Sequence, residues 1–433
     1  MESPPSTSES PLELDALWQE HGELDPRVYD DPSIHALEQE HVFGRSWLLL
    51  THESCLSEPG RYVTTTMAED PVVVTRDADG SIHAFLNQCR HRGVPICRHE
   101  AGRARSFTCS YHGWTYDGRG RLLTVPDEAQ LFRCPLDRDT WSAIPVPRIE
   151  TRHGLVFGSW DPQMPSLEEW LGDARWYFDL AFDRPGGTEA VPGVSRRRLA
   201  ANWKFGAEQF TSDDYHFSFT HVSGNTAMQS QRPEGVEVPN ALKLPISLMH
   251  TEQGHGMGFL SSIDHTPVVF GDPRIHQWVT GPRLEYLISK YGKRAREVFP
   301  IHMNFFPNTA GLWPCELRVW QPRGPGQMEV WSWALIDRAA PSEVKDALRV
   351  DFQRTFGASG VFEIDDSHHW REAQRLLGGW QTRRHRFNVQ LDGRAEGLPE
   401  PELTAAPSER GARHFHRRWT QMIQAKQAQG GAR

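Results

Sequence analysis

Cysteine is scarce in this chain: Cys55, Cys89, Cys97, Cys109, Cys134 and Cys315 are the only six in 433 residues. That density is too low for a disulfide framework and points to metal ligation and core filling in a reducing compartment. Long apolar runs are missing as well. The longest candidate, around Trp47–Leu50, is only a few residues, far short of a membrane span. No block of Lys or Arg stands out and the formal net charge is −9. The concentrated basic face that a phosphate backbone calls for is therefore lacking, which argues against nucleic acid as a partner. Met1 to Pro11 is rich in Ser, Pro and Glu, the opposite of a basic-then-apolar secretion signal. It reads as a disordered leader over residues 1–12, and the cytoplasm is the expected compartment. Internal repeats are absent, and low complexity is confined to the two tails.

Aromatic side chains are abundant. Sixteen tryptophans and 21 phenylalanines imply large cores or aromatic-lined pockets, in a chain long enough for two domains. Pro32 to Phe43 has apolar residues at helical spacing. From Trp47 to about Trp160, short β-rich runs (Tyr62–Met67, Val72–Thr75, Ile82–Phe85, Ser106–Thr108, Leu155–Phe157) alternate with Gly, Asp and Pro turns, the pattern of a small all-β domain. Further on, a helix is expected around Ser166–Leu180, a strand near Ser195–Leu199, and a helix over about Trp203–Phe217 capped by Asn202. Long Gly/Pro/Ser-rich loops are expected over roughly 222–280. Strands at Glu316–Gln321 and Met328–Ile336 suit an antiparallel sheet, and a long helix capped by Ser342 runs to about Thr355. These elements divide the chain into a leader 1–12, an N-terminal helical part 13–45, a β domain 46–165, a larger domain 166–425 and a flexible tail 426–433.

Two short motifs in the β-rich segment carry chemistry. Cys89-Arg90-His91 is separated by seventeen residues from Cys109-Ser110-Tyr111-His112. Two thiolates and two imidazoles suit zinc, but a zinc finger usually pairs Cys with Cys and His with His. Here each loop contributes one of each, as a Rieske 2Fe–2S cluster requires, with two Cys on one iron and two His on the other. Gly93 and Gly113 permit the tight turns of such loops. Respiratory Rieske proteins carry an extra Cys in each loop and a Ser hydroxyl donor; this chain has Val94, Tyr111 and Trp114 there. With neither disulfide nor hydroxyl donor, the potential is expected at the low end of the Rieske range, about −150 mV.

About a hundred residues on stand Asp213, His216 and His221. Asp213 and His216 are spaced i,i+3 and share a helical face. His221 comes too late to join them, so the helix must end or bulge after His216. Two His and one carboxylate make the facial triad of a non-haem Fe(II) oxygenase. Glu363, Asp365 and Asp366, in a probable helix, are the carboxylate candidates.

The stretches FLNQCRHRG, CSYHGWTYD, NWKFGAEQF, DDYHFSFTH, FGASGVFEIDD and HFHRRW resemble the α subunits of aromatic-ring-hydroxylating dioxygenases, the naphthalene and biphenyl dioxygenase family, from about Asp31 to Trp419. The resemblance implies an α+β fold: a small Rieske domain inserted in a catalytic domain whose central antiparallel sheet is flanked by helices. It implies a cluster on Cys89, His91, Cys109 and His112, and a mononuclear iron on His216, His221 and Asp366, with Asp365 solvated or hydrogen-bonded. Asp213 would bridge His216 to His112 of a neighbouring subunit, and Gln209 falls where relatives carry Asn or Gln near the iron. Phe210, Asp214, His302, Leu312, Phe356 and Phe362 would surround the substrate. Electrons from NAD(P)H would arrive through a reductase and a ferredoxin, O₂ and an aromatic ring would be the substrates, and the product a cis-dihydrodiol. The assembly would be α3β3 or an α3 homotrimer.

Several readings stay open. Phe356 and Phe362 suit a flat ring, or pack together on one helix face as core. Asp214 stands where relatives place small or apolar residues: it faces the pocket and a polar substrate, or turns away to the backbone or a basic residue. A sister mono-oxygenase or demethylase would use the same two sites, an electron-transfer protein only the first, and two structural zinc sites would leave the protein colourless.

Overall fold

The computed structural model describes residues 14–229, 245–262, 272–392 and 403–429; the expected leader 1–12 and the last residues of the expected tail lie outside them. Between Leu48 and Ser159 the chain builds three small antiparallel sheets. One is ordered Ile82–Leu86, Asp70–Arg76, Arg61–Met67 and Ala101–Arg103; another joins Leu122–Thr124, Thr115–Asp117 and Ser106–Thr108; the third joins Arg148–Arg152, Leu155–Ser159 and Leu48–His52. This unit has its own aromatic core of Tyr62, Phe85, Phe107, Trp114 and Tyr116, into which Cys89 and Cys109 are sunk. None of the six cysteines is paired with another.

The larger part is organised on a nine-stranded antiparallel sheet. Its path runs through Thr188–Ala190, Met328–Asp337, Glu316–Pro322, Thr309–Leu312, Phe299–Phe305, Gly256–Leu260, Ile246–His250 and Leu403–Ala405, with Ser195–Leu199 also paired to Met328–Asp337. Of the helices around it, those that bear on the site are α1 (Pro32–Leu37), α2 (Trp203–Ser212), α3 (Phe217–Thr220), α4 (Ser342–Thr355), α5 (Val361–Leu376) and α6 (Arg410–Gln429). The fold is thus α+β with a small β domain inserted in it. Among the described residues, no helix is long and apolar enough to cross a membrane.

The segment before the β domain packs on the larger part. Trp18–Gln19 and Glu23–Leu24 form a small sheet with Phe387–Asn388, far along the chain. Asp31 caps α1 by accepting from the Ser33 and Ile34 amides, and the wider turn beyond α1 carries Glu38 inward. Glu38 is fully buried, paired with Lys204 of α2, and accepts from Trp203 Nε1 at 3.0 Å and Trp419 Nε1 at 2.8 Å. The Lys204 ammonium lies over the rings of Tyr29, Trp203 and Trp419. One buried carboxylate therefore ties the segment before the insertion to α2 and α6.

Close approach of α2 to the sheet is what glycine permits here. A Cβ on Gly206 would lie 2.7 Å from the Trp320 ring, and one on Gly256 would overlap Thr211 of α2. Every non-glycine side chain would push the helix off its seat.

Some expected elements differ. α2 begins under the Asn202 cap, whose side chain accepts from the Lys204 amide, but ends at Ser212 instead of reaching Phe217. Residues 222–280 are not one run of loops. They contain the helices Val222–Gln229 and Pro273–Trp278 and two buried strands, Ile246–His250 and Gly256–Leu260, whose glycines and serines serve close packing in the sheet. Ser342 is the first residue of α4, which has no side-chain cap. α6 runs to Gln429, past residue 426 where a tail was expected.

Lys204→Met should leave the Glu38 charge buried without its partner and lower stability by about 3–5 kcal/mol. Urea denaturation followed by tryptophan fluorescence measures this; an unchanged midpoint would show that the pair holds nothing together.

Candidate metal centres

The two β loops are near copies of each other. Cys89 N donates to Val94 O at 2.8 Å and Gly93 N to Cys89 O at 2.9 Å; Cys109 N donates to Trp114 O at 2.8 Å and Gly113 N to Cys109 O at 3.0 Å. Both turns need a left-handed residue, and Gly93 (φ +76°) and Gly113 (φ +74°) supply it. Cys89 and Cys109 are buried beneath the loops. The His91 and His112 rings meet at their outer end, 4.4 Å apart, with His112 exposed and Tyr111 tilted against it. His91 stacks on Trp114, and its Nδ1 is buried without a hydrogen-bond partner. Burial pushes the Cys109 thiol up, although the Tyr111 and His112 amides face it.

No three of these four residues bring their ligand atoms within 4.8 Å of one another, whereas a single zinc ion would draw them together. A sulfur pair inside, an imidazole pair at the rim and a gap between suit a two-iron cluster, with electrons entering or leaving by the histidine edge.

One donor was missed in the sequence. Tyr116 Oη accepts from the Arg90 amide at 3.2 Å, so its proton is free for Cys89 Sγ at 3.4 Å. Burial and Cys89 hold this phenol protonated. The expectation of a cluster without a hydroxyl donor is therefore corrected. The only signal was the Tyr of CSYHGWTYD, which the strand Thr115–Asp117 turns inward.

The second centre assembles where α2 ends. Asp213 is its C-cap, with φ −95° and ψ 85°, so Asp213 and His216 lie in the connection to α3 and not on a continuous helix face. His216 precedes α3 and His221 follows it, and this broken geometry aims both rings at α5. Asp366 Oδ1 lies 3.3 Å from His221 Nε2 and 3.5 Å from His216 Nε2. The three ligand atoms lie within 4.8 Å of one another, and Asp366 Oδ1 is solvent-free with no hydrogen bond.

Each imidazole has a second carboxylate close to its Nδ1. His216 Nδ1 is 3.3 Å from Asp213 Oδ2, and His221 Nδ1 is hydrogen-bonded to Asp365 Oδ2 at 3.3 Å. Both Nε2 atoms are thereby left toward Asp366, the arrangement that fixes a ligating tautomer. Gln209 adds a third contact: Trp370 Nε1 donates to its Oε1 at 2.8 Å, which turns its amide nitrogen to His216 Nε2 at 3.3 Å. Burial opposes a charged His216 ring, yet Asp213, Asp366 and Asp214 raise it to about 9. Such a field favours a cation, so the donor set and the electrostatics both fit a divalent metal.

The six expected pocket residues are all buried, though not as the sequence pictured them. Phe356 ends α4 and Phe362 opens α5, so they share no helix face; their rings meet at 5.5 Å, and Phe362 is 5.1 Å from His221. His302 and Leu312 are register partners on adjacent strands. Phe210 lies 6.4 Å from His302, backed by the Arg318 guanidinium. Asp214 pairs with His302, Oδ1 to Nε2 at 3.1 Å, a basic partner that is itself among the expected pocket residues.

Two family profiles match. Residues 46–137 match the Rieske 2Fe–2S domain, and residues 167–425 match the ring hydroxylating alpha subunit (catalytic domain). The chain is 41% identical over 424 residues to chlorobenzene dioxygenase subunit alpha of a Cupriavidus species, covering 95% of this chain and 93% of the other. It is 40% identical over 415 residues to biphenyl 2,3-dioxygenase subunit alpha of Rhodococcus jostii, covering 93% and 89%. Among solved structures, naphthalene 1,2-dioxygenase from Rhodococcus sp. bound to indole superposes with a TM-score of 0.82 at 32% identity, covering 93% of this chain and 95% of that one.

Tyr116→Phe removes the hydroxyl donor to Cys89 and should lower the midpoint potential of the cluster by about 40 mV, the one-electron equivalent of ~1 kcal/mol. A redox titration followed by the visible spectrum reads this, and an unmoved potential would show that the phenol does not donate to the sulfur.

Proposed function

The chain belongs to the ring-hydroxylating dioxygenase α-subunit family, a family of Rieske non-haem iron oxidoreductases, and we propose that it is the oxygenase subunit that adds both atoms of O₂ to an aromatic ring to give a cis-dihydrodiol. The observation that carries this reading is the trio His216, His221 and Asp366 placed against the rings of Phe362 and Phe356 in a buried site. Relatives named for chlorobenzene and biphenyl support the substrate class.

His216, His221 and Asp366 would hold a mononuclear ferrous ion, and Cys89, His91, Cys109 and His112 a 2Fe–2S cluster; together these groups supply reductive activation of O₂. The protein's own part is orientation and exclusion. Asp213 and Asp365 stand at Nδ1 of the two imidazoles, and Asp366, held low by its contacts with both rings, faces their Nε2 atoms. Gln209 holds an amide donor beside His216 Nε2. Phe210, Phe356, Phe362 and Leu312 keep water from the ring to be oxidised.

Electrons would reach the chain from NAD(P)H through a reductase and a ferredoxin, as suits relatives named as subunits of larger enzymes. By this reading three α subunits form a ring, with or without β subunits, and Asp213 links His216 to His112 of the neighbouring copy. The Asp213 carboxylate is partly solvent-exposed while its other face meets His216, and His112 is exposed in the single chain, as such a link requires.

Assay with ¹⁸O₂ and a panel of aromatic rings tests the reaction. Two labelled atoms in one diol are expected from protein with about three irons and two acid-labile sulfides per chain. One labelled atom per product would mean mono-oxygenation, and zinc without sulfide would overturn both sites. Asp213→Ala should keep iron and sulfide but lose turnover; retained turnover would remove Asp213 from the electron path.

A further inference from the structure

Asp214 and His302 make a polar pair that neither metal centre uses. Both are more than nine-tenths buried, and His302 lies 6.4 Å from the Phe210 ring and is the register partner of Leu312. His302 Nδ1 contacts the Phe210 carbonyl at 3.0 Å. A carbonyl can only accept, so Nδ1 carries a proton. The other ring nitrogen, Nε2, lies 3.1 Å from Asp214 Oδ1. Asp214 Oδ1 is thereby engaged. Asp214 Oδ2 is not: it is solvent-free and has no hydrogen-bond partner among the described residues.

Room for the pair is made by a third residue. A Cβ on Gly258 would overlap His302 Nε2 and lie 2.9 Å from Asp214 Oδ2. The strand Gly256–Leu260 thus passes the pair with no side chain at that point, where any larger residue would part the two groups. Asp214 stands two residues before His216, a member of the iron trio.

We propose that Asp214, held by His302, determines specificity, and that the ring oxidised carries a hydrogen-bond-donating substituent, an amino or hydroxyl group, directed at Asp214 Oδ2. The proposal rests on the aromatic oxygenase reading and narrows its substrate class. A site built to receive an O–H or N–H discriminates strongly against the analogue that lacks it, because its own buried acceptor is then left unpaired. A carboxylate-bearing ring would set acceptor against acceptor and be rejected.

Phenol, aniline and toluene are close in shape and differ in the one group that matters. Binding to the assembled enzyme by calorimetry reads the pair, and oxygen incorporation reads the reaction. Phenol or aniline should bind at least about tenfold more tightly than toluene, and Asp214→Leu should remove most of that ratio. Gly258→Ala, which retains the Asp214 carboxylate but parts it from His302, should lower the ratio in the same direction. Asp214→Asn, close in size, should keep part of it because its amide oxygen still accepts. A ratio near one in the wild type, a ratio that Gly258→Ala and Asp214→Asn both leave untouched, or tighter binding of benzoate would each overturn the proposal, even if Asp214→Leu failed to fold. An intact phenol preference without ring oxygenation would support the pair and overturn the oxygenase reading alone.

Discussion

A buried carboxylate holds the catalytic half of the molecule together. Glu38 receives an ammonium and two indole N–H groups from α2 and α6, and none of the four groups reaches water. Charges so placed tolerate little displacement, because each group left alone would stay in a dry interior. α2 is further held by Glu208, which accepts from Tyr29 Oη and contacts His416 Nε2, both at 2.7 Å. The position of α2 sets where the chain breaks at Asp213, and that break decides where His216 and His221 point.

Carboxylates are used in two distinct ways around those histidines. Asp366 faces both Nε2 atoms, while Asp213 and Asp365 stand behind the rings at Nδ1. Adjacent residues on α5 thus serve opposite sides of one site: Asp365 orients His221, and Asp366 stands where a ligand is needed. Behind them, Arg318 is fully buried between Glu316 and Glu363 and meets the rings of Phe210 and Phe356. The aromatic walls are therefore anchored to the sheet by an ion-pair network and not by apolar contact alone.

The β domain solves a different problem with similar economy. Its two loops repeat one hydrogen-bond pattern, which sinks a sulfur under each and brings an imidazole to each rim. Trp114 backs His91, and Tyr116 supports Cys89 from the core side. Burial favours neutral groups near the sulfurs, while the exposed His112 edge stays open to a partner.

Much was legible in the sequence because local chemistry repeats locally. Cys89-Arg90-His91 and Cys109 to His112 each fit in one turn, so ligand order, glycine position and cluster type are all readable from spacing. The alternation of the strands and the Asn202 cap are equally local, and so is the need for a break between His216 and His221. The site of that break was misplaced, because what ends α2 at Ser212 is its seating against Gly256 and α6, contacts that lie far away along the chain. The inward turn of Tyr116, the partner of Asp365 and the pairing of Asp214 with His302 across 88 positions depend likewise on which faces the sheet and helices bring together. Residue identity by itself determined which metals and which ligands the chain can offer, since donor chemistry belongs to the side chain. Only the tertiary structure decided which carboxylate faces both Nε2 atoms, which stands behind a histidine at Nδ1 and which is buried with an unpartnered oxygen, because direction and burial come from packing.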